Sequence, residues 1–148
     1  MSQETGAKTG HDVTVRRLVP ASPEQVFSFW TDAEHLKKWW GPPGVTCINA
    51  EVDLRVGGRY RIANLIPDGS IISIHGVFEL IDRPTKLVYT WLIGDAGPEE
   101  RVTVTFLAVP GGTEVVVFHE NAPTEATMQS HQRGWVGCLD GLEEYARL

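Results

Sequence analysis

Two histidines late in the chain are the residues best placed for chemistry. His119 alternates with Val115 and Val117, so in a strand it shares their inward face. His131 falls on the apolar side of a helix expected over residues 124–148. At about 100° per residue, that side carries Met128, His131, Trp135, Cys138, Leu139, Leu142, Tyr145 and Ala146. Imidazole exchanges protons near neutral pH, so two inward rings can hold the polar end of a ligand or act as general acid and base. Tyr60 and Glu120 are the accompanying acid/base candidates. The plainer reading is a pair of core histidines, each bonded to a backbone carbonyl or to a carboxylate such as Glu120. His75 is expected on the outer face of its strand, and His11 and His35 in solvent.

Other chemistries have less support. Cys47, Cys138, His119 and His131 lack metal-ligand spacing, and zinc needs three or four convergent ligands, so no metal and no cofactor are expected. No Ser or Cys sits in a nucleophile elbow, so no catalytic nucleophile is assigned. Gly57-Gly58 serves a turn and not a phosphate loop, because no lysine-bearing helix start follows it.

The elements that must position the histidines can be read in order. Residues 13–19 form a first strand. Ser22-Pro23-Glu24-Gln25 is a helix start: Ser22 caps, Pro23 takes the first helical position and Gln25 completes a capping box. Asp32 caps a second short helix carrying Leu36, Trp39 and Trp40, which Gly41-Pro42-Pro43-Gly44 ends. Adjacent tryptophans on a helix cannot both face inward. Trp40 is assigned to the core and Trp39 to the mouth of any cavity or to partial exposure.

The period then changes to two. Strands are expected over residues 47–56, 59–66, 71–81, 87–93, 101–109 and 113–120, with turns at Gly57-Gly58, Pro67-Asp68-Gly69, Arg83-Pro84, Asp95-Ala96-Gly97-Pro98 and Gly111-Gly112. Thr124 caps the last helix, and Glu125 suits its N-terminus. A helix with one wide apolar face must bury it, and an antiparallel sheet is the partner the chain offers. Gly134, Gly137 and Gly141 cluster beside that face. Each weakens the helix by about 1 kcal/mol relative to Ala, so a close approach by a strand or a second subunit should compensate.

The totals narrow the function. The 148 residues suit one domain, with residues 1–12 as a polar, disordered tail and the folded part over 13–148. A net charge of −6 argues against nucleic acid or anionic lipid as partner. No apolar run reaches the length of a membrane span. The two cysteines are far apart, which points to free thiols in a reducing, cytoplasmic setting.

Several motifs converge on one family. Pro23-Glu24-Gln25-Val26-Phe27, Trp30-Thr31-Asp32, Trp39-Trp40-Gly41-Pro42 and Glu51-Val52-Asp53-Leu54-Arg55-Val56-Gly57-Gly58-Arg59-Tyr60 occur in order. His119-Glu120 follows, then His131, Gly134-Trp135, Leu139-Asp140 and Leu142. Over residues 13–148 this resembles the activator-of-heat-shock-protein-90-ATPase homologue family, within the START-like, or SRPBCC, superfamily. The resemblance implies an α+β helix-grip fold: a curved antiparallel sheet of about seven strands around a long C-terminal helix, with two short helices between the first two strands. It also implies a space between sheet and helix, which in the superfamily often holds an apolar ligand. The eukaryotic activator carries a further chaperone-binding domain ahead of this one. The 148 residues leave no room for it, so co-chaperone activity is not expected to transfer.

Alternation places Val52, Leu54, Tyr60, Ile62, Ile74, Phe78, Tyr89, Trp91, Val104, Phe106, Val115 and Val117 toward the helix. From these and the helix stripe, the candidate ligand-cavity residues are Trp39, Tyr60, Ile62, Ile74, Phe78, Tyr89, Trp91, Phe106, Val117, His119, Met128, His131 and Trp135. The expected function is binding of an apolar or aromatic small molecule by a monomer or homodimer. The alternatives are a cavity enzyme of polyketide-cyclase, aromatase or hydrolase type using the inward histidines, and a chaperone-interacting module of stress response.

Overall fold

The computed structural model describes residues 10–95 and 98–148. The elements run β1 (His11–Val19), α1 (Pro23–Thr31), α2 (Ala33–Trp39), β2 (Thr46–Val52), β3 (Arg59–Leu65), β4 (Ile71–Asp82), β5 (Lys86–Ile93), β6 (Glu100–Val109), β7 (Gly112–Ala122) and α3 (Glu125–Ala146). One seven-stranded sheet has the order β1-β7-β6-β5-β4-β3-β2, with every neighbouring pair antiparallel. Consecutive hairpins build it from β2 to β7, and β1 closes it by pairing with β7. The curved sheet grips α3, which is the helix-grip fold.

Most of the expected polar tail lies outside the described residues. His11 already pairs with Ala122, so β1 begins inside residues 1–12. Ala96 and Gly97 of the turn before β6 also lie outside. All three predicted caps form, Asp32 Oδ1 accepting the Glu34 N–H at 2.8 Å. Ser22 Oγ accepts the Gln25 N–H while the Gln25 side chain accepts the Ser22 N–H, and Thr124 Oγ1 accepts the Thr127 N–H. Arg17 on β1 reaches Asp140 and Glu143 on α3 at 2.6 and 3.1 Å, tying the end of the helix to the sheet edge.

Alternation also sets Ile48 on the face of Val52 and Leu54, and Leu80 on that of Ile74 and Phe78; these two, Leu54 and Trp39 depart from expectation for identifiable reasons. A register shift between Cys47 and Asn49 turns Cys47 inward and leaves Ile48 45% exposed. A second shift, between Phe78 and Leu80, leaves Leu80 exposed. A bulge adds one residue on one strand and so inverts the alternation beyond it. Leu54 is exposed because β2 ends at Val52 and the chain turns away before Gly58. Trp39 and Trp40 are both buried, contrary to the helical argument. Trp40 is the C-cap of α2 with extended backbone (φ −68°, ψ 138°), so its side chain no longer follows helical spacing.

The interior is dense with aromatic rings. All five tryptophans join one cluster: Trp30 meets Trp39, Trp40 and Trp135, while Trp91 meets Trp40 and Trp135, at centroid distances of 5.1–6.5 Å. Such offset and edge contacts add to the burial of area.

The three helical glycines divide by environment. A Cβ on Gly137 would lie 2.7 Å from Pro42 Cβ and 2.9 Å from Pro43 Cδ, and one on Gly141 would lie 2.7 Å from the Trp39 carbonyl oxygen. The compensating approach therefore comes from the end of α2 and the loop after it. A Cβ on Gly134 would meet nothing within 4 Å. Gly134→Ala should stabilise the fold by up to about 1 kcal/mol through helix propensity. Gly137→Ala should cost about 1–3 kcal/mol through overpacking. Equilibrium denaturation of the two variants checks both signs.

Candidate functional site

The described residues enclose two apolar spaces between the sheet and the helices. The first, lined by Trp30, Leu36, Trp40, Val52, Tyr60, Ile62, Phe78, Tyr89 and Trp91, holds only about 20 Å³. That part of the interior is filled core. The second is a half-open cavity of about 300 Å³. It lies between the N-terminal half of α3, the loop after α2 and the β3–β4 hairpin end. Its walls are Trp40, Pro42, Val45, Asn64, Ile66, Ile72, Ile74, Trp91, Ile93, Ser130, His131, Gly134, Trp135 and Cys138. Gly134 lies in this wall, and a Cβ there would meet nothing within 4 Å.

Of the candidate cavity residues, Ile74, Trp91, His131 and Trp135 line the larger cavity. Of the two apolar spaces, Tyr60, Ile62, Phe78 and Tyr89 border the small void and not the larger cavity. Trp39, Phe106, Val117 and His119 are buried away from both spaces, and Met128 packs half-buried against the core. Trp39 Nε1–H donates to the Phe29 carbonyl at 2.9 Å, which fixes it in the core instead of at a mouth.

Polar groups concentrate behind one wall of the cavity. Glu100 Oε1 accepts from His119 Nε2 at 2.7 Å and from His131 Nε2 at 2.8 Å. The two imidazoles stack with centroids 4.2 Å apart. His119 is wholly buried, and its Nδ1 accepts from Trp135 Nε1–H at 2.9 Å. Indole can only donate, so His119 must carry its proton on Nε2 and pass it toward Glu100. A chain of bonds results: Trp135 to His119 to Glu100, with His131 donating into the same carboxylate from the cavity side.

The charge states follow. Burial alone would push the Glu100 carboxyl up, but hydrogen bonds from His119 and His131 outweigh it and hold the group below its ordinary value. Burial pushes His119 below its ordinary value despite the bond to Glu100. The site at neutral pH is therefore a carboxylate facing a neutral His119.

The partner that sequence reasoning named, Glu120, is replaced by Glu100. Glu120 pairs across the sheet with Arg101. The signal for Glu100 was present: it alternates with Val102, Val104 and Phe106 once β6 is begun one residue earlier than expected. Tyr60 is also removed from acid/base work. Its hydroxyl donates to the Thr90 carbonyl at 2.6 Å, and burial pushes its pKa well up. His35 is not free in solvent, since its Nδ1 lies 2.6 Å from the Tyr145 hydroxyl. His75 is half-buried, with Nε2 at 2.7 Å from the Gly94 carbonyl. Asn64 was not anticipated at all.

Glu100, His119 and His131 each bring a metal-capable atom within 4.8 Å of the others, a convergence that residue spacing did not suggest. Their hydrogen bonds conflict with metal binding. Ligation through His119 Nε2 requires a proton on Nδ1, which would set that N–H against the Trp135 N–H. The arrangement suits holding and moving protons.

Among the described residues, two buried side-chain polar atoms have no hydrogen-bond partner: Asn64 Oδ1 and Trp91 Nε1. Both residues line the cavity. Leaving such a group unsatisfied costs about 1–3 kcal/mol.

The comparisons agree with this fold. Residues 20–147 match the family described as Activator of Hsp90 ATPase homolog 1-like protein. The chain belongs to that family. A protein from Chromobacterium violaceum superposes with a TM-score of 0.85 at 26% identity, covering 93% of this chain and 97% of that one. An AHSA1-like protein from Aeromonas hydrophila gives a TM-score of 0.75 at 26% identity, covering 93% and 92%. An AHSA1 protein from Silicibacter pomeroyi gives 0.80 at 23% identity, covering 90% and 96%, and speaks to the fold alone. No curated protein matches the chain. No described helix is long and apolar enough to cross a membrane.

The pH dependence of stability tests the site. The unfolded state takes up protons on His119 and Glu100 more readily than the folded state does, so acid favours unfolding through both. Stability should fall as pH drops through 6.5, the ordinary His value, and again toward 4.5, that of Glu. His119→Gln should lower Tm at neutral pH and flatten the first limb. An unchanged slope between pH 7 and 5 would assign that limb to another group.

Proposed function

We propose that the protein binds a small, flat, apolar or aromatic molecule carrying both a hydrogen-bond acceptor and a donor, held in the cavity beside Gly134. The observation that carries this reading is the pair of buried, unpartnered polar atoms on Asn64 and Trp91, two residues of a cavity wall made mostly of Ile, Trp, Pro and Val side chains with Ser130, His131, Gly134 and Cys138. An acceptor on the ligand would satisfy Trp91 Nε1–H, and a donor would satisfy Asn64 Oδ1. Few placed polar groups in apolar walls are the usual composition of a small-molecule site. At about 300 Å³ the space lies at the lower end of the range such sites span. It suits a compound of one or two rings better than a long-chain lipid. Membership of the family supports small-molecule binding at the level of the fold.

Native mass spectrometry of the purified protein, then analysis of a denatured extract, tests for a retained compound. In parallel, 2-naphthol, which has the required shape and polarity, should quench tryptophan fluorescence and raise Tm. At 100 times Kd the stabilisation is about 2.7 kcal/mol. Gly134→Leu, whose side chain enters the cavity, should fold and lose both responses. An empty protein with no response to 2-naphthol or related one- and two-ring compounds would sink the reading.

A further inference from the structure

We propose that the cavity is catalytic: His131 moves a proton to and from a carbon beside the carbonyl of a bound cyclic ketone, while Trp91 Nε1–H holds the carbonyl oxygen. This rests on the binding reading above and assigns its substrate class and reaction.

The geometry supplies each part. His131 Nε2–H donates to Glu100 Oε1, which leaves Nδ1 as the ring's basic nitrogen. Nδ1 has no hydrogen-bond partner among the described residues, and His131 lines the cavity. The Trp91 ring stands edge-on to His131 with centroids 5.9 Å apart, and both residues line the cavity. A nucleophile–base–carboxylate arrangement activates an attacking atom; here the base and carboxylate are present, but neither the hydroxyl nor the thiol of the wall, Ser130 or Cys138, is hydrogen-bonded to His131 among the described residues. Cys138, the thiol in the wall, is pushed up to about 12 by burial and supplies no thiolate at neutral pH. What remains is proton transfer.

The step balances without a co-reactant. The Nδ1 lone pair takes the proton from the carbon next to the carbonyl. The C–H pair becomes the new C=C bond, and the carbonyl π pair moves onto oxygen, which the Trp91 N–H stabilises as negative charge develops. Glu100 offsets the imidazolium that forms. The imidazolium N–H exchanges with solvent, and a solvent-derived proton returns from it to carbon, or to oxygen as the enol, so the histidine is restored. Only His131 and Trp91 touch substrate. Glu100 is a positioning residue that fixes the His131 tautomer. His119 and Trp135 position Glu100 in turn by saturating one side of the carboxylate.

The test uses 2-tetralone, a flat bicyclic ketone with acidic C–H bonds, and the intact protein in D₂O. Fluorescence quenching reports binding, and loss of the proton NMR signal beside the carbonyl reports exchange. The wild type should bind 2-tetralone and accelerate exchange above buffer. His131→Gln and His131→Ala should still bind it while exchange falls about 10²-fold or more, to the buffer rate. Glu100→Gln should lower the saturated exchange rate with Kd and site number unchanged, a split that a merely structural role would not produce. Binding without accelerated exchange in the wild type, or exchange undiminished in His131→Gln, overturns the catalytic proposal and leaves the binding reading intact. Absence of binding overturns both for this ligand class.

Discussion

A carboxylate taken out of water must be hydrogen-bonded or it will not stay charged. Glu100 meets that requirement with two imidazole N–H groups on a single oxygen. One donor comes from β7 and the other from α3, while the acceptor stands on β6. The sheet and the helix are thus joined at one atom, and the rotation of α3 about its axis is fixed there. His119 could not serve if its tautomer were free, and the Trp135 indole removes that freedom. The three polar side chains and the indole act as one unit, in which removing any member leaves a buried group without its partner.

The same helix gives the molecule a closed end and an open end. Toward its C-terminus, Gly137 and Gly141 let the end of α2 and the loop after it approach to contact distance, and the space between helices and sheet is filled by tryptophan, tyrosine and phenylalanine rings. Toward its N-terminus, Gly134 faces open space, and the cavity begins. Aromatic residues that look alike in the sequence therefore divide into packing and lining according to which end of α3 they meet. The polar unit around Glu100 lies at the boundary, with His119 behind it in the core and His131 in front of it in the cavity wall.

Family membership accounts for the frame and leaves the chemistry to the site. The frame persists at 26% identity. The site rests on local features: a buried carboxylate with two imidazoles, an indole N–H and an amide oxygen without partners among the described residues, and a glycine in the cavity wall.

The sequence by itself determined what neighbours along the chain decide. The Ser22–Gln25 capping box, the Asp32 and Thr124 caps, the glycine-marked turns and the change of period from strands to helix all depend on contacts within a few residues, and each was legible. His119 and His131 could be placed inward because alternation and helical spacing are local rules. Other features depended on tertiary structure. Bulges at Cys47 and Phe78 inverted faces that alternation had assigned, because an added residue is accommodated by the partner strand and leaves no local mark. Trp39, expected at a cavity mouth, is buried beside Trp40 because the helix ends between the two. Glu100 found its histidines 19 and 31 residues away, through strand register and helix docking together. The cavity itself is the volume left over when distant elements pack, and only the packed chain decides where that volume lies.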